Sequence, residues 1–241
     1  MNCWHEHRSG NEFITRHTHT EASVALVISG GYEEAGDRGR FHVRAGDVVI
    51  HAPYDMHLDR FTSSGAQILN LPYTHHLGFS GFGRVKNPDL IARAAEGDVA
   101  QAMELLVSAF KENSLLTLDW PEQLAQVLSK DPELCLGDWA NEFGLAAATV
   151  TRGFAQVFGI TPSQFRAHSR AKLAWKMIHS SNLPLCDVAT NLGFSDQAHM
   201  TRALRSLTGK TPSMCRAQGQ MDSRQLDRYC SQSNHGSKFR S

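Results

Sequence analysis

Leu185-Cys186-Asp187-Val188-Ala189-Thr190-Asn191-Leu192-Gly193-Phe194 runs into Ser195-Asp196-Gln197-Ala198-His199-Met200-Thr201-Arg202-Ala203-Leu204, and Thr208-Gly209-Lys210-Thr211-Pro212 follows shortly after. Apolar residues at 185, 188, 189 and 192 recur at helical spacing. Gly193 stands where a left-handed C-terminal cap is wanted. Ser195 can cap a second helix, whose inner stripe is Met200, Ala203, Leu204 and Leu207. Gly209 then stops it. Two short amphipathic helices joined by a tight, Gly-containing turn have the shape of a DNA-reading helix-turn-helix.

A weaker copy lies upstream, from Leu134 to Phe165. Leu136, Trp139, Ala140 and Phe143 parallel Leu185, Val188, Ala189 and Leu192. Gly144 parallels Gly193, and Arg152 and Phe154 parallel Arg202 and Leu204. Gly159-Ile160-Thr161-Pro162 parallels Gly209-Lys210-Thr211-Pro212, a period of about fifty residues. Between the copies Pro162 starts a helix to His179, with Phe165, Leu173, Ala174, Met177 and Ile178 inside. Before them, Asp119-Trp120-Pro121-Glu122 is a helix start with a capping acid and Pro in the first turn.

The front of the chain has a different grain. Residues 12–61 read as strands: alternation around His17, His19, Glu21 and Ser23, then the apolar run Val24 to Ile28, ended by a turn at Ser29-Gly30-Gly31. Arg40 to Arg44, Val48 to His51, His57 to Phe61 and Ala66 to Leu71 continue it. Many short strands at such spacing suggest a small sandwich or barrel. Residues 72–87 are a His- and Gly-rich loop containing His75 and His76, which read as solvated. From Pro88 to Phe110 the pattern turns helical, with Asp89 as the first cap and Asp98 capping a second helix after Gly97. Its apolar stripe suits either packing on the barrel or a dimer face.

The expected layout is therefore an N-terminal all-β barrel over 1–87, a helical segment over 88–118, an all-α domain with two helix-turn-helix units joined by a linker helix over 119–217, and a disordered, Ser-, Gln- and Asn-rich tail over 218–241. Charge follows the same division. Residues 1–128 hold 10 Lys/Arg against 16 Asp/Glu, and residues 129–219 hold 10 against 6, so only the back half suits a polyanion. No run approaches the roughly 18 apolar residues of a membrane span. The N-terminus lacks the apolar core of a signal peptide, and the five cysteines are scattered without C-x-x-C spacing, so a reducing cytoplasm is expected.

Two helix-turn-helix patterns joined by one helix resemble the DNA-binding domain of the AraC/XylS regulators. The resemblance covers about 119–217 and is most specific in V-A-x-x-x-G-F-S-D, T-R, G-x-T-P and Arg216. The first unit departs from it at Ala146, where the family usually caps with Ser, and at Ala155-Gln156, where basic residues are frequent. Leu204 replaces an aromatic and Cys215 a Tyr. The front half resembles a small-molecule-sensing cupin barrel, through His17-x-His19, Gly30, Gly46-Asp47-Val48-Val49-Ile50-x-x-Pro53 and His57.

These resemblances imply a cytoplasmic, ligand-responsive regulator of transcription, not an enzyme. Its partners would be double-stranded promoter DNA and a small-molecule effector, with RNA polymerase contact and a homodimer as further expectations and no membrane. Base-facing positions would be Ala148, Thr149, Thr151 and Arg152 in the first unit and Gln197, Ala198, His199, Thr201 and Arg202 in the second; Arg can pair guanine and Gln adenine by two hydrogen bonds. Gln156, Arg205 and Lys210 suit phosphates. In the barrel, His17, His19, Glu21, Ser23 and His57 are the expected effector pocket. The family's fourth ligand, a glutamate, falls at Ser23 here, with Glu21 two residues early. A divalent metal on His17, His19 and His57, a pocket without metal, and strand-face histidines of no special role all remain open. A metal-dependent cupin enzyme fused to a DNA-binding domain is the alternative from another class.

Overall fold

The architecture is that of a computed structural model describing residues 3–73, 81–113, 119–131 and 134–233. His75 and His76 lie outside the described residues. The chain divides into two compact units, one holding residues up to 130 and 134–162, the other running from Ser163 onward.

The first unit is built on two long strands. Strand β3 (Ser23–Gly36) and strand β6 (Met56–Pro72) pair antiparallel along most of their length. Around them lie β1 (Trp4–Arg8), β2 (Phe13–Thr18), β4 (Gly39–Arg44), β5 (Asp47–His51), β7 (Phe82–Arg84) and β8 (Lys111–Glu112), all antiparallel. The path is β1-β6-β3-β5-β7-β8, with β2 added to β6 and β4 to β3. The turn expected at Ser29-Gly30-Gly31 is instead an irregularity inside β3, where the register shifts. Gly30 has φ 72°, and a Cβ there would stand 2.0 Å from the Gly65 carbonyl oxygen of β6. Glycine thus lets both long strands bend together without breaking the ladder.

Val24 to Val27 are all buried because β3 is covered on both faces. Ala25 and Val27 join Tyr32, Val49, Phe61, Ile68 and Phe82 in the core enclosed by the sheet. Val24 and Leu26 face the other way, onto Ile91, Ala102, Met103 and Leu106 of helices α1 (Pro88–Gly97) and α2 (Val99–Ala109). A strand covered on both faces carries no polar alternation. Asp98 caps α2 by accepting from Ala100 N at 2.8 Å. Asn87 rather than Asp89 precedes α1, with Pro88 opening the helix.

Helices α3 (Trp120–Lys130), α4 (Leu136–Glu142) and α5 (Ala147–Phe158) belong to this same unit. The division into units thus falls inside the span 119–217, and the reason is visible in the arginines of the sheet. Arg60 Nη2 donates to the Gln156 carbonyl at 2.7 Å and its Nη1 to that of Val157 at 3.3 Å, while Arg16 Nη1 donates to that of Phe158 at 3.2 Å. Three carbonyls of the last α5 turn, which have no partner inside a helix, are thereby satisfied. Arg40 Nε also pairs with the buried Glu122 of α3 at 2.7 Å.

The second unit contains α6 (Pro162–Ser180) from its second residue on, α7 (Leu185–Asn191), α8 (Gln197–Thr208) and α9 (Pro212–Ser233). Its core joins Ala174 and Ile178 of α6 to Val188, Ala189, Leu192, Phe194, Met200, Leu204 and Cys215. Helix α9 continues through 218–233, within the tail expected to be disordered; residues 234–241 lie outside the described part. Ala217, Gln218, Gln220 and Met221 are good helix formers, and His179 ties Asp222 to α6 at 3.0 Å. No described helix is long and apolar enough to cross a membrane.

Candidate functional site

The two helix pairs repeat each other hydrogen bond by hydrogen bond. Gly144 N–H donates to Asn141 O and Gly193 N–H to Thr190 O, both at 3.1 Å. Leu145 N–H reaches Ala140 O at 2.8 Å, and Phe194 N–H reaches Ala189 O at 3.0 Å. Both turn glycines lie in the left-handed region, φ 64° and 66°, as do Gly159 and Gly209 at the ends of α5 and α8, φ 72° and 69°. A side chain at the turn positions would be strained there. Burial repeats too: Val150 and Phe154 hold α5 inward, Met200 and Leu204 hold α8.

The inward stripes fix what faces out. On α5, Ala148, Thr149, Thr151, Arg152 and Gln156 are exposed. On α8, Gln197, Ala198, Arg202 and Arg205 are exposed, while His199 and Thr201 are half-buried. Lys210 is half-buried and donates from Nζ to Gln218 Oε1 at 2.7 Å. Asp196, not Ser195, caps α8, accepting from His199 N–H at 2.6 Å. That bond holds the Asp196 carboxyl below its ordinary value. Ser195 Oγ lies 3.1 Å from His199 Nδ1, and the His199 ring meets Phe194 edge-on. Helix α5 begins at Ala146 with no side-chain cap, as its sequence requires.

A second cluster lies inside the sheet. His17 of β2 pairs across to His57 of β6, and Gly36 of β3 pairs with His57 on its other side. His17, His19 and His57 are thus brought together, with His17 Nε2 3.1 Å from His19 Nε2 and the rings of 17 and 57 centred 4.4 Å apart. Glu21 is exposed and takes no part, and Ser23 sits at the level of His51 in the ladder without lining the cavity. The carboxylate comes from the far end of β3 instead. Glu34 accepts from His51 Nε2, with the two carboxylate oxygens at 3.2 and 3.3 Å. Glu34, His51 and His57 are 4%, 7% and 4% exposed. They border a cavity of about 20 Å³ together with Asp37, Arg38 and Asp55.

The electrostatics of this cluster are strong because it is buried. Burial alone would raise the Glu34 carboxyl, but His51 and His57 outweigh it and hold it at about 2. Burial depresses the His57 imidazole to about 3, with the neighbouring histidines adding to the effect against Glu34. His51, bonded to Glu34, is raised despite its burial. Asp59, buried behind His57 and repelled by Glu34, is pushed up to about 8.

Glu34 and His51 are not among the pocket residues expected from the sequence. Parity along the strands would have found them. Glu34 shares an inward phase with Tyr32 and Gly36, and His51 shares one with Val49.

A family profile described as a helix-turn-helix domain matches residues 139–218, which covers the turn of the first pair and all of the second. Residues 139–218 thus carry a helix-turn-helix domain. The HTH-type transcriptional regulator ExsA of Pseudomonas aeruginosa is 33% identical over 81 residues, 34% of this chain and 29% of that protein. The virulence regulon transcriptional activator VirF of Yersinia enterocolitica is 30% identical over 122 residues, 46% of this chain and 45% of that protein. The arabinose operon regulatory protein of Escherichia coli is 28% identical over 87 residues, 36% and 30% of the two chains. The chain thus spans less than half the length of these relatives, all of them named as regulators. Among solved structures, ToxT of Vibrio cholerae aligns over 89% of this chain and 97% of its own at 7% identity and a TM-score of 0.40.

Proposed function

We propose that this chain is a sequence-specific transcriptional regulator of the AraC type, in which α4–α5 and α7–α8 are two helix-turn-helix units and α5 and α8 enter the major groove of promoter DNA. The observation that carries it is the exposed face of α8: Gln197, Ala198, Arg202 and Arg205 outside, Met200 and Leu204 buried behind them, in the segment that the family profile matches. Arginine can read guanine and glutamine adenine there, while Arg205 and Lys210 suit phosphates. Thr149, Thr151, Arg152 and Gln156 offer the corresponding face of α5.

The sheet domain supplies the control. Asp37 borders the cavity beside His51 and His57, and its Oδ1 accepts from Arg16 Nη2 at 2.9 Å. Arg16 also donates to the Phe158 carbonyl that ends α5. A ligand in the cavity is therefore one ion pair away from a recognition helix. It alters DNA binding to the extent that its affinity differs between two settings of that pair.

Selection of bound duplexes from a random pool tests the reading. Enrichment of a defined site is expected, and its protection should extend over at least ~15 base pairs if both units engage. Recovery of unselected sequence, with affinity that depends only on salt, would refute sequence-specific regulation.

A further inference from the structure

We infer that Glu34, His51 and His57 hold one divalent first-row transition-metal ion, and that this ion is the signal the sheet domain senses. The second part rests on the regulatory reading above; the first does not. Glu34 lies outside the cupin motif and His51 at one of its variable positions, so this set differs from the triple that the resemblance suggests.

Three observations carry it. The first is geometry. One ligand atom from each of Glu34, His51 and His57 lies within 4.8 Å of the other two. His51 Nε2 stands 3.2 and 3.3 Å from the Glu34 oxygens. Donors about 2.0–2.1 Å from a tetrahedral ion stand about 3.3 Å apart, so an ion can bridge this pair with little rearrangement. The second is an unpartnered donor. His57 Nδ1 is buried with no hydrogen-bond partner. Its Nε2 faces Asp59 Oδ2 at 3.6 Å. A ring nitrogen turned to a carboxylate while the other is left bare is the arrangement in which an outer carboxylate orients a metal-bound histidine. The third is size. The cavity of about 20 Å³ beside these groups has room for an ion or one water.

The alternative triple, His17, His19 and His57, is also close enough to ligate. His17 and His19, however, are half-buried and do not line the cavity. Two imidazoles and one carboxylate, with a further position open, suit zinc, iron, cobalt or nickel rather than calcium or magnesium.

The test is titration of the chelator-treated full chain with Co²⁺, read by calorimetry and visible absorption. One equivalent per chain is expected. Glu34→Gln and His51→Gln should each weaken binding at least tenfold, Asp59→Asn about tenfold with unchanged stoichiometry, and His17→Ala less than threefold. X-ray absorption on the unsubstituted complex guards against misfolded variants: it should count two imidazoles with carboxylate or water oxygen. No binding, a three-imidazole count, or an equal loss in His17→Ala would overturn the site. On a selected DNA site, metal should shift affinity at least fivefold, and Glu34→Gln should abolish the shift. Metal binding with unchanged DNA affinity would overturn the signalling role. A chain that binds the ion but selects no DNA sequence would refute the regulatory reading and leave the site standing.

Discussion

Removing the Arg16 guanidinium should destabilise the first unit by about 3–5 kcal/mol, the cost of leaving one partner of a buried ion pair behind. The side chains of Arg16 and Asp37 are 5% and 8% exposed, so water cannot take over the carboxylate when the guanidinium is gone. In Arg16→Met the aliphatic stem is kept and the charge is lost. The double variant Arg16→Met, Asp37→Leu removes both charges and should recover most of the loss, since apolar replacement of a buried pair is often neutral. It still lacks the donors to the Ala35 and Phe158 carbonyls and the acceptor for Met56 N–H, so a residual deficit of about 0.5–1.5 kcal/mol for each lost bond should persist. Urea unfolding followed by tryptophan fluorescence in a Trp175→Phe background reads this unit alone, because Trp4, Trp120 and Trp139 all belong to it. A single variant that loses less than about 1 kcal/mol, or a double variant no better than the single, would refute the claim that this pair is buried and coupled to the end of α5.

Leu204→Ala should cost about 2–5 kcal/mol in the unfolding of the second unit, because the side chain is wholly buried against Met200 and α6; an exposed-site value below 0.5 kcal/mol would contradict that packing. The Asp196 cap should be pH-dependent. Its folded value lies below the ordinary aspartate range, so its stabilisation is complete above that range and fades as pH falls through the folded value; Asp196→Asn should flatten this acid limb, and an unchanged limb would deny the cap its role. Cys215 is buried in the α6–α9 core and burial pushes its thiol up, so it should react with a thiol reagent only on unfolding, while exposed Cys135 and Cys186 react in the native protein; early labelling at 215 by peptide mapping would count against the core.

Local chemistry made the helix pairs legible. Gly144, Gly193, Gly159 and Gly209 all take the left-handed conformation that the sequence asks of them, and the apolar spacing named the buried residues. The α8 cap falls one residue later because two adjacent side chains can both cap, and Ser195 meets His199 four residues on instead. The sheet was less legible. Gly30-Gly31 has the composition of a turn, yet the matching close approach of Gly65 on the partner strand makes it a bend within β3. The ligand cluster was half visible: His17, His19 and His57 lie near one another on neighbouring strands, but Glu34 enters from the far end of β3, and that depends on β3 being continuous. The placement of α3 to α5 with the sheet depends on Arg16, Arg40 and Arg60, whose roles no local pattern announces.

Whether the exposed face of α8 reads DNA sequence is decided by the affinity of Arg202→Ala for a selected site and for its single-base variants. A loss of about 1–3 kcal/mol on the best site is expected, with discrimination lost at one base pair and retained elsewhere. Unchanged affinity and unchanged preference, in protein whose unfolding matches the parent, would contradict it.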